Sequence, residues 1–341
     1  MVAPITSINQ NRAMLVDAIC LTRQAFFFRR NPRHGKTLNL GMSSTPQIRP
    51  GTSRDYTTGS VISKDGTTVG YRRLGYGPTV VLVHGGMQTS QNLMYLGADL
   101  SDSFTVIIPD RRGRGLSGPH RPNHSINTER EDLHALLRDT GAQHLFGLSS
   151  GAVICLWAVL DYPQIQSLAV YEPPLPIGGV DPARWLPFFE RAMARGKLAE
   201  AMIAIMRGTT DSRIIGLVPS VILAPLMSLA IEAEAKKAKP GDVALKKLIP
   251  TMRFDAKVVS DTKGSLDRLK EIHAAVLLLG GSKSPAYLKT ALDALEMLIP
   301  QVRRVEFPGL GHLAPDNRGK PELVARELRR YFSKTAAVLE Q

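Results

Sequence analysis

The sequence predicts an α/β protein with a mostly parallel sheet, because apolar runs of strand length alternate with amphipathic helical segments. Residues 79–83 and 104–108 are almost continuously apolar, which is typical of strands buried on both faces. Asp65-Gly66 predicts the turn of a hairpin formed by residues 56–73. These observations place an antiparallel hairpin before a parallel sheet whose connections are helices.

The same alternation continues towards the C-terminus. Further predicted strands are 144–146, 166–171, 274–279 and 302–307, and predicted helices are 128–140, 152–160, 285–298 and 321–332. Thr128 and Glu131 have the spacing of a capping box at the start of the helix 128–140. Pro321 suits the first position of the last helix.

The pattern predicts a core in two parts. We expect residues 56–174 to form its first part, 175–265 an inserted helical cap, and 266–335 its second part. Residues 1–55 are predicted to be a disordered extension, since they lack strand alternation. Residues 1–54 contain eight basic residues and one acidic residue, so organelle import through this Arg-rich segment is an alternative interpretation.

Composition excludes several classes of protein. The net charge is +13, but no basic face interleaved with aromatic residues occurs in the body of the chain, so nucleic-acid binding is not expected. Cys20 and Cys155 cannot build a disulfide framework or a zinc site, which favours a reducing, cytoplasmic compartment. Residues 214–231 carry no charge, yet Gly216 and two prolines interrupt them, so we expect cap helices rather than a stable membrane span.

The strongest chemical signal is Gly147-Leu148-Ser149-Ser150-Gly151 between a predicted strand and a predicted helix. Gly-x-Ser-x-Gly in this context is a nucleophile elbow, whose sharp turn exposes the serine hydroxyl above the sheet. The sequence therefore predicts that Ser149 is a nucleophile and that the Ser150 amide faces the same space.

Three more motifs follow predicted strands. His84-Gly85-Gly86-Met87 follows the first long buried strand, where a second oxyanion donor should lie. The segment 110–117 reads Asp-Arg-Arg-Gly-Arg-Gly-Leu-Ser, and Gly309-Leu310-Gly311-His312 follows the last strand. Taken together and in this order, the four motifs are far more specific than any one of them.

From about residue 56 to 333 the chain resembles the α/β-hydrolase superfamily. The resemblance implies an eight-stranded, mostly parallel sheet flanked by helices and a helical cap. It implies Ser149 as nucleophile and His312 as general base, with oxyanion donors at the amides of Ser150 and Gly86, or Met87 in place of Gly86.

The catalytic acid departs from the commonest pattern of the superfamily. Ser284 stands where most members carry an aspartate, and a serine cannot stabilise an imidazolium by charge. Glu172, at the end of the strand after the elbow helix, is the expected acid, as in members among the haloalkane dehalogenases and zearalenone-lactone hydrolases. Asp255 is the alternative.

The remaining polar residues are assigned to structure. Asp110 and Arg112 are expected to hold loops beneath the site. Five further histidines show no pairing with carboxylates at metal-ligand spacing, so no metal and no cofactor are expected. These five are His120, His124, His134, His144 and His273.

A serine nucleophile with an oxyanion hole predicts acyl chemistry. We expect cleavage of an ester, lactone or thioester of a small hydrophobic molecule through an acyl-enzyme, since the cap segment is rich in apolar residues. Alternatives are an acyltransferase, a hydrolase of carbon–carbon bonds and a non-enzymatic small-molecule receptor. Either a monomer or a homodimer is expected.

Overall fold

A sheet of eight strands forms the centre of the protein in the computed structural model, which describes residues 55–211, 213–238 and 241–339. The strands are β1 (Thr57–Ile62), β2 (Thr68–Leu74), β3 (Thr79–Val83), β4 (Thr105–Pro109), β5 (His144–Leu148), β6 (Ser167–Tyr171), β7 (Ala275–Gly281) and β8 (Val302–Phe307). Their spatial order is β1-β2-β4-β3-β5-β6-β7-β8. Strand β2 runs antiparallel to β1 and β4, and every other neighbouring pair is parallel. The predicted fold class is confirmed.

Strands β3 to β6 are buried because their side chains alternate between two apolar layers. Val81 and Val83 of β3 belong to the core on one face, whereas Val80 and Leu82 belong to the core on the other. Burying each such side chain contributes about 1.5–3 kcal/mol relative to leaving it in water. The sheet therefore provides a rigid platform for the loops at its carboxyl edge.

Eleven α-helices occur in the described part of the chain. They are α1 (Met94–Leu100), α2 (Ile126–Thr140), α3 (Ser150–Val159), α4 (Leu186–Ala194), α5 (Leu198–Thr209), α6 (Arg213–Leu217), α7 (Ser220–Lys237), α8 (Leu245–Leu248), α9 (Met252–Ser260), α10 (Ala286–Leu298) and α11 (Pro321–Leu339). Helix α3 is buried along its whole length, as a helix packed between the sheet and other helices must be.

The predicted capping box of α2 is wrong. The helix begins at Ile126, and the Ser125 hydroxyl accepts the Thr128 amide hydrogen as the N-cap. Glu131 instead forms a surface ion pair with Lys64. Ser125 is an equally good capping residue, and it lies at the true end of the preceding turn.

The helices between β6 and β7 form a separate apolar cluster. Its buried members include Trp185, Phe189, Met202, Ile205 and Met252. The bounds 175–265 for a cap, and the two core segments on either side, remain predictions. The predicted extension 1–55 lies outside the described residues apart from Asp55.

The uncharged stretch, residues 214–231, forms most of α6 and most of α7. Val221, Leu226 and Leu229 of α7 are exposed, and Ile231 is its buried apolar residue. Of the helices described, none has both the length and the apolar character that crossing a bilayer requires.

Candidate active site

Strained backbone is concentrated at the carboxyl edge of the sheet. In the described part of the chain, the non-glycine residues with left-handed φ are Met87 at 51°, Ser149 at 55° and Glu172 at 48°. They follow β3, β5 and β6 respectively, and Ser149 and Glu172 each come directly after their strand. Such conformations cost about 1–3 kcal/mol each and cluster at functional sites. The backbone strain therefore indicates a candidate functional site at these three strand ends, independently of any sequence motif.

Ser149 sits at the turn between β5 and α3. Its amide donates to the Tyr171 carbonyl at 2.9 Å, which ties the turn to the end of β6. A Cβ atom added to Gly85 would lie 2.9 Å from the Ser149 Cβ, so the loop after β3 passes directly beside the serine. This close approach explains why a glycine is needed there.

Glu172 and His312 form a hydrogen-bonded pair. His312 Nδ1 lies 2.7 Å from Glu172 Oε2, and the carboxylate is buried whereas the imidazole is partly exposed. With the Nδ1 proton donated to the carboxylate, Nε2 keeps its lone pair and can accept a proton. The structure thus brings together two of the residues that the sequence proposed for the site.

The surroundings of Glu172 fix its carboxylate. Oε1 accepts the Gly281 amide hydrogen at 2.6 Å, and a Cβ on Gly280 would lie 3.2 Å from that oxygen. The Tyr171 hydroxyl donates to the Gly311 carbonyl at 2.9 Å and so anchors the loop that carries His312. Two neighbouring residues of one strand end therefore hold the carboxylate and the histidine loop.

Ser284, which stands where most superfamily members carry an aspartate, does not contact His312 by a hydrogen bond. Its side chain is buried, and its hydroxyl has no hydrogen-bond partner among the described residues. Gly280 at the end of β7 has no side chain and so leaves room for the Glu172 carboxylate.

Ser149 and His312 line the same pocket, with a cavity of about 190 Å³. The predicted oxyanion residues Gly86, Met87 and Ser150 line it as well. The Gly85 amide donates to Gln88 Oε1 at 2.8 Å, so in this loop the next two amides remain as candidate donors. Apolar side chains form most of the remaining pocket lining, including Trp185, Ile205, Met252, Val259 and Leu313.

Asp255 of α9 also lines this pocket, but it is held by a buried ionic cluster. Its Oδ1 accepts from the Ser150 hydroxyl at 2.6 Å and from Arg111 Nη1 at 2.7 Å, and its Oδ2 pairs with Arg114. Arg114 also donates to the Gly85 carbonyl at 3.1 Å. Asp255 thereby connects α9 with the elbow and, through Arg114 of the loop after β4, with the loop after β3.

Arg111 extends the cluster to a second carboxylate. It forms a bidentate pair with Glu129 of α2, with distances of 3.1 Å from Nε and 2.7 Å from Nη2. Burial raises the pKa of Glu129, but Arg111 outweighs burial and lowers that pKa to about 2. Burial likewise opposes ionisation of Asp255, and the guanidinium groups of Arg114 and Arg111 nevertheless hold its pKa well below the usual range. Both carboxylates are therefore ionised at neutral pH.

His84 is kept neutral beneath the same cluster. Burial, together with the charges of Arg114 and Arg111, lowers its pKa to about 3. Its Nε2 accepts the Arg111 amide hydrogen at 3.2 Å, and its Nδ1 lies 2.9 Å from the Gly85 carbonyl. This pattern fixes the tautomer with the proton on Nδ1.

Asp110 and Arg112 hold loops, as the sequence suggested. Asp110 accepts the amide hydrogens of Ser90 and Leu116 at 2.6 Å and 2.9 Å. Arg112 forms a bidentate pair with Asp132, with distances of 2.7 Å and 2.6 Å.

Sequence reasoning did not predict that Arg111, Arg114 and the side chain of Ser150 would bind the Asp255 carboxylate beside the pocket. It also expected His120 and His124 to have no carboxylate at metal-ligand spacing, and the structure corrects this. His120, His124 and Glu129 converge so that one ligand atom from each lies within 4.8 Å of the others. A signal was present in the spacing of these three residues, since His120 and His124 lie in the loop before α2 and Glu129 lies in its first turn.

A family model of the alpha/beta hydrolase fold matches residues 78–318. The chain belongs to this alpha/beta hydrolase family. The match spans the strand ends and the pocket described above, from β3 to the loop that carries His312. The protein is accordingly a hydrolase.

Similar proteins show how varied the chemistry of such alpha/beta hydrolases is. The chain is 25% identical over 270 residues to a 2-(acetamidomethylene)succinate hydrolase of Mesorhizobium japonicum, covering 78% of this chain and 91% of that protein. It is 30% identical to an alpha/beta hydrolase from Sphaerobacter thermophilus of known structure, with a TM-score of 0.63 and coverage of 80% and 100%. An esterase from Thermogutta terrifontis has 20% identity, a TM-score of 0.59 and coverage of 82% and 99%, which shows the shared fold alone.

Replacing Asp255 by Asn is expected to lower the free energy of unfolding by about 3–5 kcal/mol, because buried Arg114 loses its charged partner and buried Arg111 loses one of its two. Urea denaturation measures the change. Glu190→Gln is the matched control, since Glu190 pairs with Arg253 at the surface, and it should change stability by less than about 1 kcal/mol. Equal effects of the two substitutions would contradict this interpretation of the cluster.

Stability is expected to fall between pH 7.5 and pH 5. The folded-state pKa of His84 is about 3, below its ordinary value of 6.5, so in this range the unfolded chain binds a proton that the folded chain does not. Urea titrations at each pH should show a smaller loss for His84→Gln than for the wild type. The exposed His273→Gln should keep the wild-type slope, and an unchanged slope in His84→Gln would contradict the assignment.

Proposed function

We propose that this hydrolase cleaves an ester, lactone or thioester of a small hydrophobic molecule through an acyl-enzyme on Ser149. The observation that carries the proposal is the 2.7 Å pair between His312 and Glu172 in the pocket that Ser149 lines. A serine hydroxyl is a weak nucleophile and needs an adjacent base, and an imidazole oriented by a carboxylate is such a base.

The proposed reaction has two stages. Ser149 Oγ attacks the substrate carbonyl carbon while His312 Nε2 takes the hydroxyl proton, and Glu172 stabilises the imidazolium that results. The amides of Ser150 and of Gly86 or Met87 donate to the oxyanion. The tetrahedral intermediate then expels the alcohol or thiol, which receives the proton from His312. Water attacks the acyl-enzyme by the same steps and releases the acid.

Glu172 is preferred to Asp255 as the acid because of their partners. Glu172 directs one oxygen to His312 and the other to a backbone amide. Asp255 already accepts from Ser150, Arg111 and Arg114, and its charge is neutralised by the two arginines. A carboxylate in that arrangement positions its neighbours, and none of its hydrogen bonds is made with His312.

The nucleophile and the pocket favour neutral acyl substrates. Dehalogenases and epoxide hydrolases of this fold need a carboxylate nucleophile, and Ser149 is a serine. None of the described residues that line the pocket is Lys or Arg. A carboxylate on the substrate would lose its hydration there without gaining a cationic partner. The pocket chemistry therefore differs from what a succinate-based substrate, such as that of the Mesorhizobium relative, requires.

Carbon–carbon bond hydrolysis stays an alternative from the sequence. The similarity to that relative across 91% of its length supports hydrolysis without defining which bond is cleaved. The same serine, base and oxyanion hole can serve both reactions. An acyltransferase, a receptor without turnover, a cytoplasmic location and a monomeric or homodimeric state remain predictions from the sequence.

Ser149→Ala and Glu172→Gln are each expected to reduce kcat/KM for p-nitrophenyl butyrate by about 10³–10⁴-fold, because either change removes the activated nucleophile. Initial rates of p-nitrophenol release measure the loss. Glu306→Gln is the matched control, since Glu306 is exposed on β8, and it should retain wild-type activity. Full activity in Glu172→Gln would contradict the assignment of the acid.

The neutral ester is expected to be the better of two substrates with acyl groups of equal length. We expect kcat/KM for p-nitrophenyl butyrate to exceed that for mono-p-nitrophenyl succinate by at least about tenfold, which corresponds to about 1.4 kcal/mol. The reason is the uncompensated desolvation of the succinyl carboxylate. Equal or faster cleavage of the succinyl ester would show that the site binds a carboxylate.

A further inference from the structure

A second cluster of ligand-type side chains lies outside the proposed catalytic residues. His120 and His124 belong to the loop before α2, and Glu129 lies in the first turn of that helix. One ring nitrogen of each histidine and one carboxylate oxygen all lie within 4.8 Å of one another. His124 Nε2 is 3.7 Å from Glu129 Oε1, close to the separation of two ligands on one tetrahedral zinc ion.

Three of the four ring nitrogens in this cluster are buried and make no hydrogen bond among the described residues. His124 is 5% exposed, and neither of its nitrogens makes a hydrogen bond among the described residues. His120 Nε2 is buried and unpartnered in the same way. An unsatisfied buried polar group costs about 1–3 kcal/mol, so an arrangement with three such nitrogens calls for a bound species.

Neighbouring residues hold the two rings in place. Phe254 of α9 stacks on the His120 ring with a centroid distance of 3.6 Å and an interplanar angle of 7°. It also packs edge-on against His124, at 5.0 Å and 73°. The rings are therefore fixed before any ligand arrives, which lowers the entropic cost of binding.

Glu129 is oriented by Arg111 through its bidentate contact. Each carboxylate oxygen has two lone pairs, so Oε1 can coordinate a metal while it still accepts from Arg111. Hydrogen bonds of this kind to ligating carboxylates are usual around metal sites. Arg111 also donates to the Ser150 hydroxyl at 3.0 Å, which links the cluster to the elbow.

We propose that His120, His124 and Glu129 bind one Zn²⁺ ion, with water as the fourth ligand. Two neutral imidazoles and one carboxylate form a recognised zinc donor set. The nearby Arg111 and Arg114 are each paired with a carboxylate, which limits their repulsion of the cation. The site is distinct from the Ser149 centre, and its role is to fix the loop before α2 and, through Glu129 and Arg111, the elbow.

The proposal is tested on the full-length protein after EDTA treatment and dialysis, by calorimetric titration with zinc chloride. His120→Phe and His124→Phe keep an aromatic ring against Phe254 but remove the ligand nitrogens. His273→Phe, at an exposed histidine outside the cluster, is the control. Circular dichroism without metal establishes that each variant is folded.

We expect saturable binding at this site in the wild type and in His273→Phe, a rise in Tm with zinc in both, and at least a tenfold loss of affinity in each cluster variant. Absence of saturable binding would overturn the proposal and would indicate that water satisfies the nitrogens. Binding that survives in both cluster variants would place any zinc elsewhere and overturn it equally. Neither result depends on esterase activity, so a failure here is separable from a failure of the proposed function.

Discussion

The site depends on backbone strain at three strand ends. Met87, Ser149 and Glu172 each adopt a left-handed φ that their side chains disfavour, and a parallel sheet places all three at one edge. The cost of several kcal/mol is offset by the buried cores on both faces of the sheet, which leave the loops few alternatives. Rigid strands thus determine where the proposed nucleophile Ser149 and the proposed acid Glu172 can point.

The buried ionic cluster adds a second level of constraint. Arg111 and Arg114 join Asp255, Glu129, Ser150 and the Gly85 carbonyl within one water-poor region. Buried ion pairs seldom add net stability compared with well-packed apolar residues, whereas breaking one is costly. Such a cluster therefore specifies geometry, and here the geometry is that of the elbow and the loop of the proposed oxyanion hole. It also gives Asp255 a positioning role beside the pocket.

The sequence predicted those features that local patterns encode. Continuous apolar runs identified β3 and β4, and the strand–turn–helix context of Gly147–Gly151 identified Ser149. Glu172 was predicted to be the acid from the resemblance to known subfamilies, because Ser284 stands where most members of the superfamily carry the catalytic aspartate. The contacts of Asp255 with Arg111 and Arg114 span 144 and 141 residues, and no local periodicity reports such pairs. The convergence of His120, His124 and Glu129 depends on how the loop turns into α2, and the mistaken cap at Thr128 shows how weakly sequence fixes that point.

Covalent labelling tests the central claim most directly, because it reports the activated serine without requiring the natural substrate. A fluorophosphonate probe reacts with a serine that an adjacent base has activated. We predict stoichiometric modification of Ser149, located by mass spectrometry of peptides, at a rate that falls at least about a hundredfold in folded Glu172→Gln. Modification at another residue, or labelling of Ser149 in Glu172→Gln at the wild-type rate, would contradict the Ser149–His312–Glu172 assignment.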